Sequence, residues 1–272
     1  MVASLSPCRL LLQLWLTLAF TALASGQDAP PPAIDAAEIV RRSIEANKED
    51  WKQLPHFDYF LREHEGNGSK TYLSHMILGS RYNELVAVNN QPLPPEAAAK
   101  EKQKLESEIR ARQNETPERR DERIRNFRKD MERNQLFMAE LGEAFDFTLV
   151  KTDEMNGVRV HVLAAKPRRG YQPPNMQAKA LTGMEGTMWI DAETFHWVKV
   201  QAQVVRPVSI EGFLARVLKG THFELDQIRV EEGIWLPSRF VMQSRAKVLL
   251  VFSRSDHDYE EYFDYRRNNE KQ

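Results

Sequence analysis

From Phe57 to Arg266 the chain alternates apolar and polar residues in one run after another, interrupted once by a long charged stretch. Successive strand side chains point to opposite faces, so this period-two pattern calls for a sheet with one buried and one wetted face. Phe57, Tyr59 and Leu61 alternate with Asp58, Phe60 and Arg62; Gly66-Asn67-Gly68-Ser69 is a turn signal, and runs at 70–79 and 81–90 complete an antiparallel meander. Strands resume at 147–150, then after Asn156-Gly157 with Val158, Val160 and Val162, and at 186–191. Further runs lie at 195–205, 221–230, 233–243, 246–254 and 259–266. About ten antiparallel strands with few helices define an α+β class, a large curved sheet with helices against one face.

Two regions carry the helical period. Asp35 is a plausible N-cap, and Ala36, Ile39, Val40, Ile44, Asn47 and Trp51 share one face, which predicts an amphipathic helix over 35–53 ended by Pro55. Residues 91–145 open with prolines and turn highly charged, with pairs such as Glu106 and Arg110 at i,i+4. The break at Asn114-Glu115-Thr116-Pro117 predicts two helices, the second striped by Ile124, Phe127, Met131, Phe137, Met138 and Leu141. This region reads either as a partner-binding arm or as a solvated excursion docked by that stripe.

The 38 basic and 39 acidic side chains nearly cancel, which argues against a nucleic-acid binder, since that function needs a basic face. The only cysteine, Cys8, precedes an apolar run at 10–23, and Ala22-Leu23-Ala24 follows as a small-x-small cleavage pattern. The expectation is a secretory signal peptide over 1–24, then a Pro-rich leader over 25–34 and a single domain over 35–272, soluble in the periplasm or otherwise exported.

Chemistry-bearing patterns are sparse. Glu63-His64-Glu65 and Asp256-His257-Asp258 flank a histidine with carboxylates, but neighbours on a strand face opposite ways and a metal site needs three or four converging ligands. His161, His196 and His222 are isolated. No Walker loop, G-x-S-x-G, HExxH or dinucleotide fingerprint is present, so no catalytic residue, metal site or cofactor is assigned and a hydrolase is the weakest reading. Lys151, Arg159, Lys166, Arg168, Arg169 and Lys179 make 151–179 locally basic, either for contact with a membrane surface or as a soluble rim.

The export signal, a helix before an antiparallel meander, the hairpin Met188-Trp189-Ile190-Asp191-Ala192-Glu193-Thr194 and the strand Gly233-Ile234-Trp235-Leu236-Pro237 occur together. The combination resembles the outer-membrane lipoprotein-sorting superfamily, the LolA/LolB-type carriers and their envelope-stress regulator relatives. The resemblance covers roughly 35–266 apart from 91–145, which reads as a helical insertion. It implies an open half-barrel sheet, helices on the concave side, and an apolar hollow that holds lipid acyl chains or another hydrophobic ligand. Some of these carriers tie a lid helix down with an internal arginine; Arg62 is one of several strand arginines here, and none is assigned that role.

Inward strand positions supply the hollow's candidate lining: Phe57, Tyr59, Leu61, Tyr72, Met76, Leu78, Met188, Trp197, Phe223, Leu225, Phe240 and Met242. Methionine suits adaptable apolar surfaces, and each buried CH₂ of a guest would contribute about 0.8 kcal/mol. The competing reading is a closed core in which these side chains fill the space themselves. The irregular segment 167–183, with Tyr171, Met176 and Leu181, is the lid candidate; otherwise it is an ordinary edge loop. The leading expectation is a non-enzymatic carrier of a hydrophobic ligand or lipoprotein. The alternative is an envelope interaction or stress-sensing module that carries nothing.

Overall fold

The computed structural model describes residues 35–209, 215–248 and 252–268. The expected signal peptide and leader lie outside the described residues. Helix α1 spans Ala36–Gln53, and a 3-10 turn at Leu54–His56 carrying Pro55 ends it. The first meander is β1 (Phe57–Glu65), β2 (Gly68–Ile77), β3 (Ser80–Val88) and the two-residue β4 (Gln91–Pro92). Two helices follow, α2 (Pro95–Gln113) and α3 (Pro117–Ala144). Both begin on proline, whose missing N–H costs nothing at a helix start, and Thr116 caps α3 by accepting from the Arg119 amide.

The second meander is β5 (Phe145–Met155), β6 (Val158–Pro167), β7 (Met184–Asp191) and β8 (Trp197–Val204), with the six-residue α4 (Met176–Leu181) between β6 and β7. Short β9 (Val208–Ser209) and β10 (Ala215–Val217) precede three long strands: β11 (His222–Glu231), β12 (Ile234–Val248) and β13 (Phe252–Arg267). Two expected strands, 233–243 and 246–254, thus differ from the structure. The polar pair Ser244-Arg245 separates the two expected runs, yet β12 pairs with β13 in unbroken register from Arg239 to Val248.

The sheet order is β4-β3-β2-β1-β13-β12-β11-β8-β7-β6-β5. Every pairing is antiparallel, and β13 returns to β1 to join the two meanders. The sheet stays open, with β4 and β5 as its two ends. It is curved, and α3 touches both β3 and β5, crossing the concave side as a chord. The convex face carries a ladder of alternating charge at one register: Lys199, Asp226, Arg239, Glu261 and Arg62 sit opposite one another on β8, β11, β12, β13 and β1. Adjacent members ion-pair at 3.1 Å (Lys199–Asp226), 2.7 Å (Asp226–Arg239) and 3.0 Å (Glu261–Arg62).

Helix α1 lies on the concave side and is fixed by polar contacts. The Trp197 indole N–H donates to Ser43 Oγ at 3.2 Å, Asn47 Nδ2 donates to Gln227 Oε1 at 3.2 Å, and the Trp235 amide donates to Asp50 Oδ1 at 3.0 Å. Ser43, Asn47 and Asp50 recur at i, i+4 and i+7, one buried stripe of the helix. Asp50 is 2% exposed, and burial raises its carboxyl from 3.8 to about 7 against the opposing pull of the Trp235 N–H. His196 Nε2 lies 3.6 Å from the same oxygen, and burial lowers that imidazole's pKa.

The helical excursion folds back onto the sheet. Arg112 at the end of α2 is 5% exposed and donates to the carbonyls of Ile77 and Ser80 at 2.7 and 2.8 Å, while Glu108 accepts from its Nε at 2.6 Å. Arg123 on α3 donates to the Leu78 carbonyl and to Ser80 Oγ, and pairs with Glu115. Two guanidinium groups therefore satisfy the carbonyls of the β2–β3 turn, so α2 is docked rather than projecting.

Two measurements check this reading. Arg112→Ala leaves buried carbonyls unpaired and should destabilise the chain by about 2–3 kcal/mol, seen as a lower urea midpoint with unchanged slope. For Asp50, the raised folded-state pKa means the folded chain binds more protons than the unfolded one between about pH 4 and 7, so its contribution declines as pH rises through that window. His196 acts in the opposite sense. Asp50→Asn should therefore gain on the wild type by roughly 2–4 kcal/mol across that range. A stability difference that does not change with pH would contradict the assignment.

Candidate functional site

Under the second half of the sheet, the inward residues stand in cross-strand rows. One row runs Leu149, Leu163, Met188, Val200, Leu225, Phe240 and Glu260 across β5, β6, β7, β8, β11, β12 and β13. Two residues further along each strand, the next row reads Phe147, Ala165, Gly186, Ala202, Phe223 and Met242. Its centre is Ala, Gly, Ala, where the neighbouring row has Leu, Met and Val. Beyond it stand Phe145, Met184 and Val204. Large side chains on both sides of a row of small ones leave a trough.

The helices do not fill it. A cavity of about 600 Å³ remains between the sheet and its cover. Met138 and Leu141 of α3, Ala180 and Leu181 of α4, and Trp51 near the end of α1 form the roof. The separation is held by close contact elsewhere: a Cβ on Gly142 of α3 would lie 2.6 Å from Ile44 Cδ1 of α1, so the helices already meet there as tightly as glycine permits. At the floor, a Cβ on Gly186 would lie 2.6 Å from the Gln201 carbonyl oxygen. Met242 is 38% exposed although it lines the cavity, which places the opening at its end of β12.

Three charged side chains, Arg133, Arg245 and Glu260, line the cavity beside its apolar walls. Glu260 accepts a hydrogen bond from the Tyr262 hydroxyl, whose pKa burial and that carboxylate push far up, so the phenol remains a donor. Arg133 is ion-paired to Asp130 at 3.0 Å and largely exposed. His222 and Arg245 border the cavity, with Thr221 and Ser244 beside them. The Trp51 indole N–H is buried without a hydrogen-bond partner.

Of the expected lining, Met188, Phe223, Leu225, Phe240 and Met242 border the cavity, as does Leu181 of the lid candidate. Phe57, Tyr59 and Leu61 are buried in a separate cluster with Leu54 and Leu236, where the Tyr59 ring packs against Tyr262 and Tyr265. Tyr72 and Met76 lie on β2, away from this cavity, and Trp197 is fully buried with its N–H on Ser43. Leu78 falls in the β2–β3 turn at φ 47° and is 42% exposed.

The segment 167–183 is docked. Asn175 caps α4 by accepting from the Ala178 amide; the Tyr171 hydroxyl donates to Glu140 of α3; and Arg168 pairs with Asp146 and donates to the Gly142 and Phe145 carbonyls. Met176 is 50% exposed and faces away. Much of the basic segment is paired locally, Lys151 with Asp153 and Arg159 with Glu193. His64 bonds to Glu261 of the convex ladder, and no group of His, Cys, Asp or Glu able to hold a metal ion occurs among the described residues. Size-based reading of the sequence missed Ala165, Gly186 and Ala202. Strand parity from Leu163, Met188 and Val200 is the signal that finds them.

No family model matches the chain, and no curated protein matches it. Solved structures similar to it include the LolA superfamily protein NE2245 from Nitrosomonas europaea, at 10% identity over 88% of this chain and 96% of that one, TM-score 0.32. A DUF1329 family protein from Desulfovibrio piger ATCC 29098 matches at 10% identity over 88% and 96%, TM-score 0.29. A putative outer membrane lipoprotein-sorting protein domain from Vibrio parahaemolyticus matches at 10% identity over 86% and 95%, TM-score 0.27.

Proposed function

We propose that this protein binds and carries a hydrophobic ligand, a lipid or a lipid-modified protein, in the cavity beneath β5–β8 and β11–β13. One observation supports this reading above others: about 600 Å³ of space walled mainly by Met, Leu, Val and Phe side chains. Water inside such a wall finds few partners, and apolar area freed from water contributes about 25 cal/mol per Å². The volume lies in the range of pockets that enclose most of a small apolar molecule.

The interaction-module alternative would use the charged outer faces of α2 and α3. On α2, Lys100 pairs with Glu96 and Arg110 with Glu106, which reduces the directed potential that helix offers a partner. Export to the periplasm completes the proposal. No helix among the described residues is long and apolar enough to cross a membrane.

Titration with a fluorescent fatty acid tests the carrier reading. Saturable binding, displaced by unlabelled fatty acid, is expected, together with lipid in organic extracts of gently purified protein. Met242→Lys places a charge at the opening on an already exposed site, and binding should weaken about tenfold or more with stability unchanged. A wild-type protein that neither binds the probe nor yields lipid would refute the proposal.

A further inference from the structure

One apolar row of the concave face ends on a charge. Leu149, Leu163, Met188, Val200, Leu225 and Phe240 stand opposite one another from β5 to β12, and the next position, on β13, is Glu260. Residues two apart on a strand share a face. Tyr262, two along from Glu260, packs its ring against Tyr59, and Glu260, Tyr262 and Phe240 all line the cavity. Glu224, Asp226 and Glu261 of the neighbouring strands lie on the convex face instead, and each pairs with an arginine there. Glu260 accepts a hydrogen bond from the Tyr262 hydroxyl, and among the described residues no lysine or arginine ion-pairs with it. Its cross-strand neighbours, Phe240 and Glu63, supply no cation. The two arginines of the cavity wall are placed elsewhere. Arg133 pairs with Asp130, and Arg245 lies further along β12 than Phe240 by about 17 Å, with its guanidinium beside Gly220.

A carboxylate in such a wall selects its guest. Hydrocarbon or a second carboxylate laid over it removes its water and returns no hydrogen bond, so either weakens binding. An ammonium group returns N–H donors and the opposite charge, and hydrogen bonds between ionised partners are about twice as strong as neutral ones. In a mostly apolar pocket, a few such polar groups fix the orientation of the guest. Resting on the carrier reading above, we propose that Glu260 is the specificity-determining residue of the cavity and binds the ammonium group of an amphiphile whose hydrocarbon lies along Phe240, Leu225 and Met188. The ligand class is a long-chain amine or a lipid with a phosphoethanolamine head.

Calorimetric titration of the full chain tests this with probes of one chain length, held below their micelle concentrations. These are dodecylammonium, dodecanol, dodecanoate, and the lauroyl lysophospholipids with ethanolamine and with glycerol heads. Dodecylammonium should bind about tenfold or more tighter than dodecanol and dodecanoate, or the ethanolamine lysolipid by the same factor over its glycerol counterpart. The pair with the larger ratio identifies the source of the amine. Glu260→Gln keeps an acceptor for Tyr262 and removes the charge, and in that variant the preference should disappear. Equal affinity across head groups, a preference for dodecanoate, or an ammonium preference that survives in Glu260→Gln would overturn the assignment while leaving the carrier reading standing; no binding of any probe would overturn both. Because the ranking of head groups is measured on the wild type, the test stands even if the variant folds poorly.

Discussion

The Trp235 amide and the Asp50 carboxyl meet at 3.0 Å beneath α1, and much of the molecule's arrangement follows from that buried bond and its two companions, Trp197 to Ser43 and Asn47 to Gln227. Apolar contacts let a helix slide over a sheet at little cost. A buried hydrogen bond does not, because a one-turn shift strands donor and acceptor away from water at about 1–3 kcal/mol each. Three such bonds on one helical stripe set both the position and the rotation of α1. That in turn sets where Ile44 meets Gly142 of α3 and how far the roof stands above the strands.

The hollow is then a matter of residue size. With α1 and α3 held in contact and α3 spanning from β3 to β5, the roof cannot drop onto the floor. Leu, Met and Val rows reach up towards it, but the Ala165–Gly186–Ala202 row does not. The structure thus contains both situations anticipated from the sequence. Under β1 and β13 the aromatic residues close on one another, with Phe57, Tyr59, Tyr262 and Tyr265 in ring contact. Under β6, β7, β8 and β11, Leu163, Ile190, Trp197 and Leu225 are sealed against Ile39 and Val40 of α1, and the cavity lies beside that core. Closed cores and a cavity share the concave face of one sheet.

Local signals were legible where the period was long and the punctuation clear. Phe57, Tyr59 and Leu61 marked β1, the Asn114–Pro117 break separated α2 from α3, and Pro55 ended α1. Legibility failed where polarity imitated a break, as at Ser244-Arg245, where β12 continues because β13 pairs with it from Arg239 to Val248. It failed again at Leu78, whose apolar side chain suggested the interior although the turn holds it outside. Arg112 and Arg123 read as two more charges on charged helices, and only their carbonyl partners in the β2–β3 turn distinguish them.

By itself the sequence determined the elements and the inward face of most strands, because both follow from periodicities of two and 3.6 carried by neighbouring residues. It also determined that the concave side would be greasy, since large apolar residues recur there. Tertiary structure alone decided which part of that side is sealed and which is hollow. That choice depends on bringing Ala165, Gly186 and Ala202 into one row from strands that are distant in the chain. It depends equally on setting the height of a roof whose anchors, Asp50 and Trp235, are also far apart in sequence, and no local pattern encodes a distance between two surfaces that meet only on folding.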